Sequence, residues 1–163
     1  MTDTRPILVV DDFVDGRELL SEYLEFRGFS VVAAKSGREA IALAPQIRPS
    51  AVLMDLGMPD VDGWEATRRL RQNPDTRDVM IIAVTAHALN REVQAALDAG
   101  CDAVVAKPYD LAAFADALAA SMVKGPAAFK AVGAPIVASR SPHSKGKPTG
   151  PPDRANRSRK RKA

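Results

Sequence analysis

Five polar side chains of the sequence have types suited to metal and phosphoryl chemistry: Asp11, Asp12, Asp55, Thr85 and Lys107. Three carboxylates that lie together repel one another unless positive charge is close by. Mg²⁺ prefers carboxylate and phosphate oxygens as ligands, and the Lys107 ammonium is a second source of positive charge. A site of this composition can bind a phosphoryl group, and a carboxylate in it can accept that group as an aspartyl phosphate.

Each of these side chains follows or ends a short apolar run, and the runs are the predicted strands. They are four or five residues long, rich in Val, Ile or Ala, and mostly lack polar alternation. This pattern is typical of strands buried on both faces of a parallel sheet. The runs are Ile7–Val10, Ser30–Ala33, Ala51–Met54, Met80–Val84 and Ala103–Ala106.

Amphipathic stretches with boundary signals lie between the runs and predict five helices. The first ends at Gly28, and the second is capped by Ser36 with Glu39 and ends before Pro49. The third covers about Trp64–Arg71, the fourth Asn90–Ala99, and the fifth follows the N-cap Asp110 and closes at Lys124.

Five strands that alternate with five helices predict an α/β fold with helices on both faces of a parallel sheet. The flavodoxin-like strand order 2-1-3-4-5 needs only five strands and makes strands one and three neighbours. The chemistry-bearing residues would then meet at the carboxyl edge of the sheet, so that Asp11, Asp12 and Asp55 converge in one cleft.

The same residues resemble the receiver domain of two-component response regulators, in order and in spacing. The matching motifs are Asp11-Asp12, Asp55 with Met58-Pro59, Thr85-Ala86 and Lys107-Pro108. The resemblance covers roughly residues 5–124. It implies a phosphoacceptor domain that is not a turnover enzyme. Its phosphodonor would be a sensor histidine kinase or histidine phosphotransfer protein, and its output a downstream protein partner.

Roles for individual positions follow from the resemblance alone. It implies that Asp55 accepts the phosphoryl group, and that Asp11, Asp12, Asp55 and the Gly57 carbonyl serve a Mg²⁺ site. It implies that Thr85 bonds a phosphoryl oxygen after transfer and that Lys107 pairs with the phosphoryl group. Ala86 matches a small residue that keeps the site accessible, and Lys107-Pro108 resembles the cis peptide bond of the family.

Val104 departs from the family pattern. Receiver domains often have an aromatic residue three positions before the lysine, and this aromatic turns inward during switching. Val104 occupies that position here. The sequence therefore leaves open how phosphorylation would be read out at the protein surface.

The charge of the chain divides sharply. Residues 1–125 contain 13 Lys and Arg against 19 Asp and Glu, whereas residues 126–163 contain 10 against 1. The region 125–163 is rich in Pro, Gly, Lys and Arg and is expected to be a disordered tail. Its run Arg157–Lys162 could contact nucleic acid or an acidic partner. It shows no pattern for sequence-specific DNA binding.

No apolar run approaches the length of a membrane span, and the single cysteine, Cys101, suits a reducing compartment. We therefore expect a cytoplasmic protein. Two alternatives to the phosphoacceptor remain: a phosphate-independent binding module and a tail-mediated nonspecific nucleic-acid binder. A phosphatase with an aspartyl nucleophile would need a second acid two residues after Asp55, where Gly57 stands.

Overall fold

The computed structural model describes residues 3–86 and 88–131, with the backbone alone for residues 130 and 131. Five strands alternate with five helices in this part of the chain, in the predicted order. The strands are β1 (Ile7–Val10), β2 (Val31–Ala34), β3 (Ala51–Met54), β4 (Met80–Thr85) and β5 (Ala103–Ala106). The helices are α1 (Val14–Phe26), α2 (Gly37–Ile47), α3 (Gly63–Gln72), α4 (Asn90–Ala99) and α5 (Leu111–Lys124), followed by a 3₁₀ helix (Pro126–Ala131).

The strands form one parallel sheet in the order β2-β1-β3-β4-β5, which confirms the predicted flavodoxin-like topology. Val10 of β1 pairs with Met54 of β3, and Thr85 of β4 pairs with Ala106 of β5. The last residues of β1 and β3 are therefore in register, and so are those of β4 and β5, while β4 extends beyond Ala83, the partner of Met54. Side chains that follow β1, β3 and β5 emerge at one edge of the sheet.

Alternate residues of each strand face opposite sides and pack into two separate cores. Leu8, Val52, Ile81 and Val104 belong to the core covered by α2, α3 and α4. The other core lies beneath α1 and α5 and contains the alternate strand residues, including Ile7, Leu53, Val84 and Val105. The arrangement is a three-layer α/β/α domain.

β2 differs from the prediction in two ways. It starts at Val31 and not at Ser30. It is also not buried on both faces, because Val31 and Val32 are half-buried and Ala33 is exposed. The partial burial follows from its position at the edge of the sheet, where only β1 pairs with it.

The folded core reaches past the domain boundary that the sequence predicts at residue 124. Phe129, in the 3₁₀ helix, is completely buried and stacks on Phe114 of α5 with a ring separation of 5.3 Å. The remainder of the predicted tail, residues 132–163 including Arg157–Lys162, lies outside the described residues. Its expected disorder and its contacts stay predictions.

Two contacts of α3 fix local side chains. Cys101 is fully buried, and its sulfur lies 3.6 Å from the Thr67 hydroxyl. Asp62 caps α3 by accepting a hydrogen bond from the Glu65 amide at 2.8 Å. None of the helices in the described ranges is long and apolar enough to cross a membrane.

Candidate functional site

The backbone hydrogen bonding of the sheet continues one residue beyond three strands and fixes the site residues there. The Asp11 amide donates to the Ala34 carbonyl at 3.1 Å, and the Asp55 amide donates to the Val10 carbonyl at 2.9 Å. The Lys107 amide donates to the Thr85 carbonyl at 2.8 Å. These three side chains are therefore positioned by the rigid sheet edge and not by mobile loops.

Asp11, Asp12 and Asp55 are brought together as the strand order predicts. One carboxylate oxygen from each lies within 4.8 Å of the others. Asp11 is buried, Asp55 is half-buried and Asp12 is exposed. The cluster is thus closed on the protein side and open to solvent through Asp12.

The Lys107 ammonium lies between two of these acids. Its Nζ is 3.1 Å from Asp11 Oδ2 and 4.0 Å from Asp55 Oδ2. The other Asp11 oxygen, Oδ1, accepts from the Phe13 amide at 2.9 Å. Arg17 donates to the Asp11 carbonyl at 2.8 Å. Asp11 is therefore held from several sides.

The negative charge of Asp55 is less well compensated than that of Asp11. Its Oδ1 accepts a hydrogen bond from the Gly57 amide at 3.1 Å. Burial raises the pKa of Asp55, although the Lys107 charge and the Gly57 hydrogen bond act in the opposite direction; proximity to Asp11 raises it further. The carboxylate form of Asp55 would gain from added positive charge at this site.

Thr85, Ala86 and Lys107-Pro108 complete the surroundings. Thr85 is completely buried at the end of β4, whereas the next residue, Ala86, is exposed. The Lys107-Pro108 peptide bond is cis, as the family resemblance predicts. Val104 is buried in the core beside α4 and is remote from solvent.

Two glycines permit close approaches that sequence reasoning did not anticipate. A Cβ on Gly16 would lie 3.2 Å from Asp11 Oδ2, the oxygen that accepts from Lys107. A Cβ on Gly63 would lie 2.2 Å from the Asp55 carbonyl oxygen, so only glycine lets α3 begin against Asp55. The available signal was Gly16 itself, because glycine in a predicted helix often has a packing reason.

Tyr109 is a further neighbour that sequence reasoning missed. It is half-buried, and its ring lies 4.8 Å from that of Phe114. Burial, together with the negative charge of Asp11, raises the pKa of Tyr109 to about 12. The phenol is thus even further from ionising at physiological pH than an ordinary tyrosine, and it adds no negative charge to the site.

The donor set fits Mg²⁺. All the candidate ligands are hard oxygens, and the carboxylates converge with one open side. Asp60, three residues before Gly63, does not join them, because it forms an ion pair with Arg38.

Comparisons with known proteins agree with this geometry. A family described as "Response regulator receiver domain" matches residues 7–119. The polar-differentiation response regulator DivK of Brucella ovis is 30% identical over 115 residues, covering 71% of this chain and 94% of DivK. The response regulator MprA of Mycolicibacterium vanbaalenii is 46% identical over 105 residues, covering 64% of this chain and 45% of MprA. The chain thus spans less than half of that relative.

A solved structure shares the fold. The chemotaxis protein CheY4 of Vibrio cholerae superimposes with a TM-score of 0.67 at 26% sequence identity, covering 71% of this chain and 96% of CheY4. Its match and the family match cover the same α/β unit that carries the acidic cluster. The chain belongs to the receiver-domain family of two-component response regulators.

Proposed function

We propose that this chain accepts a phosphoryl group on Asp55 in a Mg²⁺-dependent reaction, and that a sensor histidine kinase or histidine phosphotransfer protein supplies the group. One observation carries the proposal: the carboxylates of Asp11, Asp12 and Asp55 converge within 4.8 Å at an open sheet edge. The Lys107 ammonium lies beside them. This is the charge arrangement that phosphoryl transfer needs.

Asp55 is the nucleophile in this proposal. One of its carboxylate oxygens forms a bond to phosphorus while the bond from phosphorus to the donor atom breaks. Asp55 accepts no hydrogen bond from the Lys107 ammonium, since Lys107 Nζ lies 0.9 Å nearer to the Asp11 oxygen than to the Asp55 oxygen. Its lone pairs therefore remain available for attack.

Mg²⁺ would be held by Asp11, Asp12, Asp55 and the Gly57 carbonyl, and would neutralise charge on the transferring phosphoryl oxygens. Lys107 pairs with a second phosphoryl oxygen once the acids are neutralised. Thr85 donates its hydroxyl to a third oxygen after transfer. Because Thr85 is buried at the end of β4, this hydrogen bond would connect the phosphorylated Asp55 to β4 and to the surface beyond that strand.

The protein is a stoichiometric phosphoacceptor in this proposal and not a turnover enzyme. Gly57 stands two residues after Asp55, where an aspartyl-nucleophile phosphatase would have an acid. Output is through contact with a downstream protein. The phosphorylated domain would bind that partner with an affinity different from that of the free domain.

The direct test is labelling of the full chain with acetyl phosphate and Mg²⁺, followed by intact mass. We expect one phosphoryl group, sensitive to hydroxylamine as an acyl phosphate is, and no labelling in Asp55→Asn or in EDTA. Asp78→Asn is the matched control, because Asp78 is 93% exposed and precedes β4 at the opposite edge of the sheet. Labelling that persists in Asp55→Asn would refute the assignment.

Trp64 offers a second measurement that does not depend on transfer. It is the second residue of α3 and its indole donates to the Glu92 carbonyl at 3.4 Å. The helix start at Gly63 touches the Asp55 backbone, so metal binding should change Trp64 fluorescence. A binding module that uses neither metal nor phosphate would give no response.

A further inference from the structure

A groove of about 380 Å³ opens beside the candidate site. Phe13, Gly16 and Leu19, at the start of α1, form one wall, and Pro108, Tyr109 and Leu111, between β5 and α5, form the other. Its volume lies within the roughly 300–1,000 Å³ typical of small-molecule sites. None of the roles assigned above uses this groove.

The floor of the groove is the hydrophobic core itself. Leu20, Leu53 and Val84 line it and have exposures of 6%, 2% and 4%. The outer wall is apolar too, since Phe13 is 63% exposed and Leu19 is 58% exposed. An apolar group that entered here would be removed from water on several sides, which is favourable in proportion to the area buried.

Charge is confined to one end of the groove. Asp11, Asp55 and Lys107 line that end, and the Tyr109 phenol is neutral at physiological pH, as phenols ordinarily are. Lys107 and a Mg²⁺ ion bound as proposed above would outweigh the two carboxylates, and the groove would then complement an amphiphilic anion. Its anionic head would lie by Lys107 and Asp55, and its apolar body would lie between α1 and the Pro108 loop.

We propose that this groove is a leaving-group subsite, and that the chain takes phosphoryl groups from small acyl phosphates with an apolar, preferably aromatic, acyl group better than from acetyl phosphate. The inference rests on the proposed function. It extends that function by naming a substrate class, because the groove begins at Asp55 and ends among apolar side chains.

The transfer step is balanced without a further reactant. An Asp55 carboxylate oxygen forms a bond to phosphorus, and the bond between phosphorus and the acyl oxygen breaks with its electron pair remaining on that oxygen. The products are the aspartyl phosphate and the free carboxylate of the donor. No proton needs to be transferred and no group is oxidised or reduced.

The first experiment compares benzoyl phosphate with acetyl phosphate as donors to the full chain with Mg²⁺, by initial rates of Asp55 labelling. The two donors differ in intrinsic reactivity, so the informative quantity is the benzoyl-to-acetyl ratio of kcat/KM in each variant. We expect Leu111→Trp, which fills the groove, to lower this ratio about tenfold relative to wild type.

Ala112→Trp is the matched control. Ala112 follows Leu111 in α5 but is exposed and does not line the groove. We expect its ratio to equal that of wild type. A ratio that is the same in wild type and Leu111→Trp would overturn the inference and leave the proposed function standing, as would be found if the groove serves only a side chain of a protein phosphodonor.

A binding measurement covers the case in which Leu111→Trp does not fold. Phenylphosphonate and methylphosphonate carry no transferable phosphoryl group, and their affinities for the Mg²⁺-loaded wild-type protein can be compared by calorimetry. We expect phenylphosphonate to bind about tenfold more tightly. Equal affinities would overturn the groove assignment.

The two proposals fail in different ways. If acetyl phosphate does not label Asp55, the proposed phosphoacceptor function is wrong, whereas the phosphonate comparison still decides whether the groove binds an apolar anion. If labelling succeeds and both the donor ratio and the phosphonate affinities are insensitive to the apolar group, only the groove assignment is wrong.

Discussion

Lys107 is bonded to Asp11 and not to Asp55: its Nζ lies 3.1 Å from Asp11 Oδ2 but 4.0 Å from Asp55 Oδ2. The ammonium thus offsets the buried acid while leaving the candidate nucleophile partly uncompensated. Both acids depend on it, because the Lys107 charge also acts to lower the pKa of Asp55. Removal of the Lys107 charge should therefore change both the rate of phosphoryl transfer to Asp55 and the pKa of Asp55.

We predict that Lys107→Met lowers the rate of Asp55 labelling by acetyl phosphate about 100-fold. The substitution removes the ammonium that would stabilise negative charge on the phosphoryl group during transfer. The substitution should also raise the pKa of Asp55 further, which carboxyl NMR would detect. Lys124→Met, at the exposed end of α5, is the control. A normal labelling rate in Lys107→Met would contradict the role assigned to this side chain.

Asp55→Asn should stabilise the protein in EDTA at neutral pH. Burial and the nearby Asp11 both disfavour the Asp55 carboxylate in the folded state, and the substitution removes that charge. Urea unfolding would show a higher midpoint than wild type. Mg²⁺ should reduce the difference in urea midpoint between the two proteins, because it binds the wild-type acids and stabilises folded wild type by mass action.

The opposite order of stability in EDTA, with Asp55→Asn less stable than wild type, would mean that the carboxylate is well compensated without metal. The control variant Asp78→Asn should have the same urea midpoint as wild type, both in EDTA and with Mg²⁺. Its carboxylate is 93% exposed and pairs only loosely, at 3.8 Å, with Arg77.

Phe129 should be part of the folding unit. We predict that Phe129→Ala costs about 3–5 kcal/mol of unfolding free energy, because its ring is completely buried against Phe114. The control is Phe26→Ala, at a residue that is 82% exposed, with an expected change within about 0.5 kcal/mol. Truncation after Gly125 should be as damaging as Phe129→Ala, and truncation after Ala131 should not.

Val104→Phe should destabilise the fold by about 1–3 kcal/mol through overpacking. Val104 is 1% exposed, within the core shared with Val93 and Ala96 of α4. Val123→Phe, at a position that is 85% exposed, is the matched control. A harmless Val104→Phe would indicate that the core beside α4 can accommodate or release an aromatic ring at this position.

Burial of the Cys101 thiol predicts that the stability of the folded protein depends on pH. Burial raises its pKa to about 11, whereas an unfolded thiol ionises at about 9. Below pH 9 the thiol is protonated in both states and contributes no difference. Between pH 9 and 11 ionisation favours the unfolded chain, so stability falls, by about 1 kcal/mol from pH 8 to pH 10.

The measurement is urea unfolding with a reductant at pH 8 and pH 10, in wild type and Cys101→Ala. The alanine variant lacks this ionisation, and the difference between the two proteins should shrink as the pH rises. A difference that is independent of pH would show that the thiol ionises equally in both states.

Sequence alone determined the topology and the position of the acids. The apolar runs and helix signals are local, and the parallel strand order then brings Asp11, Asp12 and Asp55 to one edge by necessity. The motif resemblance supplied the Lys107-Pro108 cis bond and the candidate roles. These features depend on residue type and spacing, which are written directly in the chain.

Only the tertiary structure decided which partners these residues have. Lys107 and Asp11 are far apart in sequence, and their 3.1 Å contact spans β3 and β4, which lie between β1 and β5 in the sheet. The burial of Phe129 was not determined by sequence either, because a short apolar segment after Pro126 can belong to the tail unless α5 and β5 offer it a surface. The exposure of β2 followed from its edge position, and the groove between α1 and the Pro108 loop forms where these two segments, distant in sequence, come together. Packing between distant segments fixes all of these features, and local patterns do not encode it.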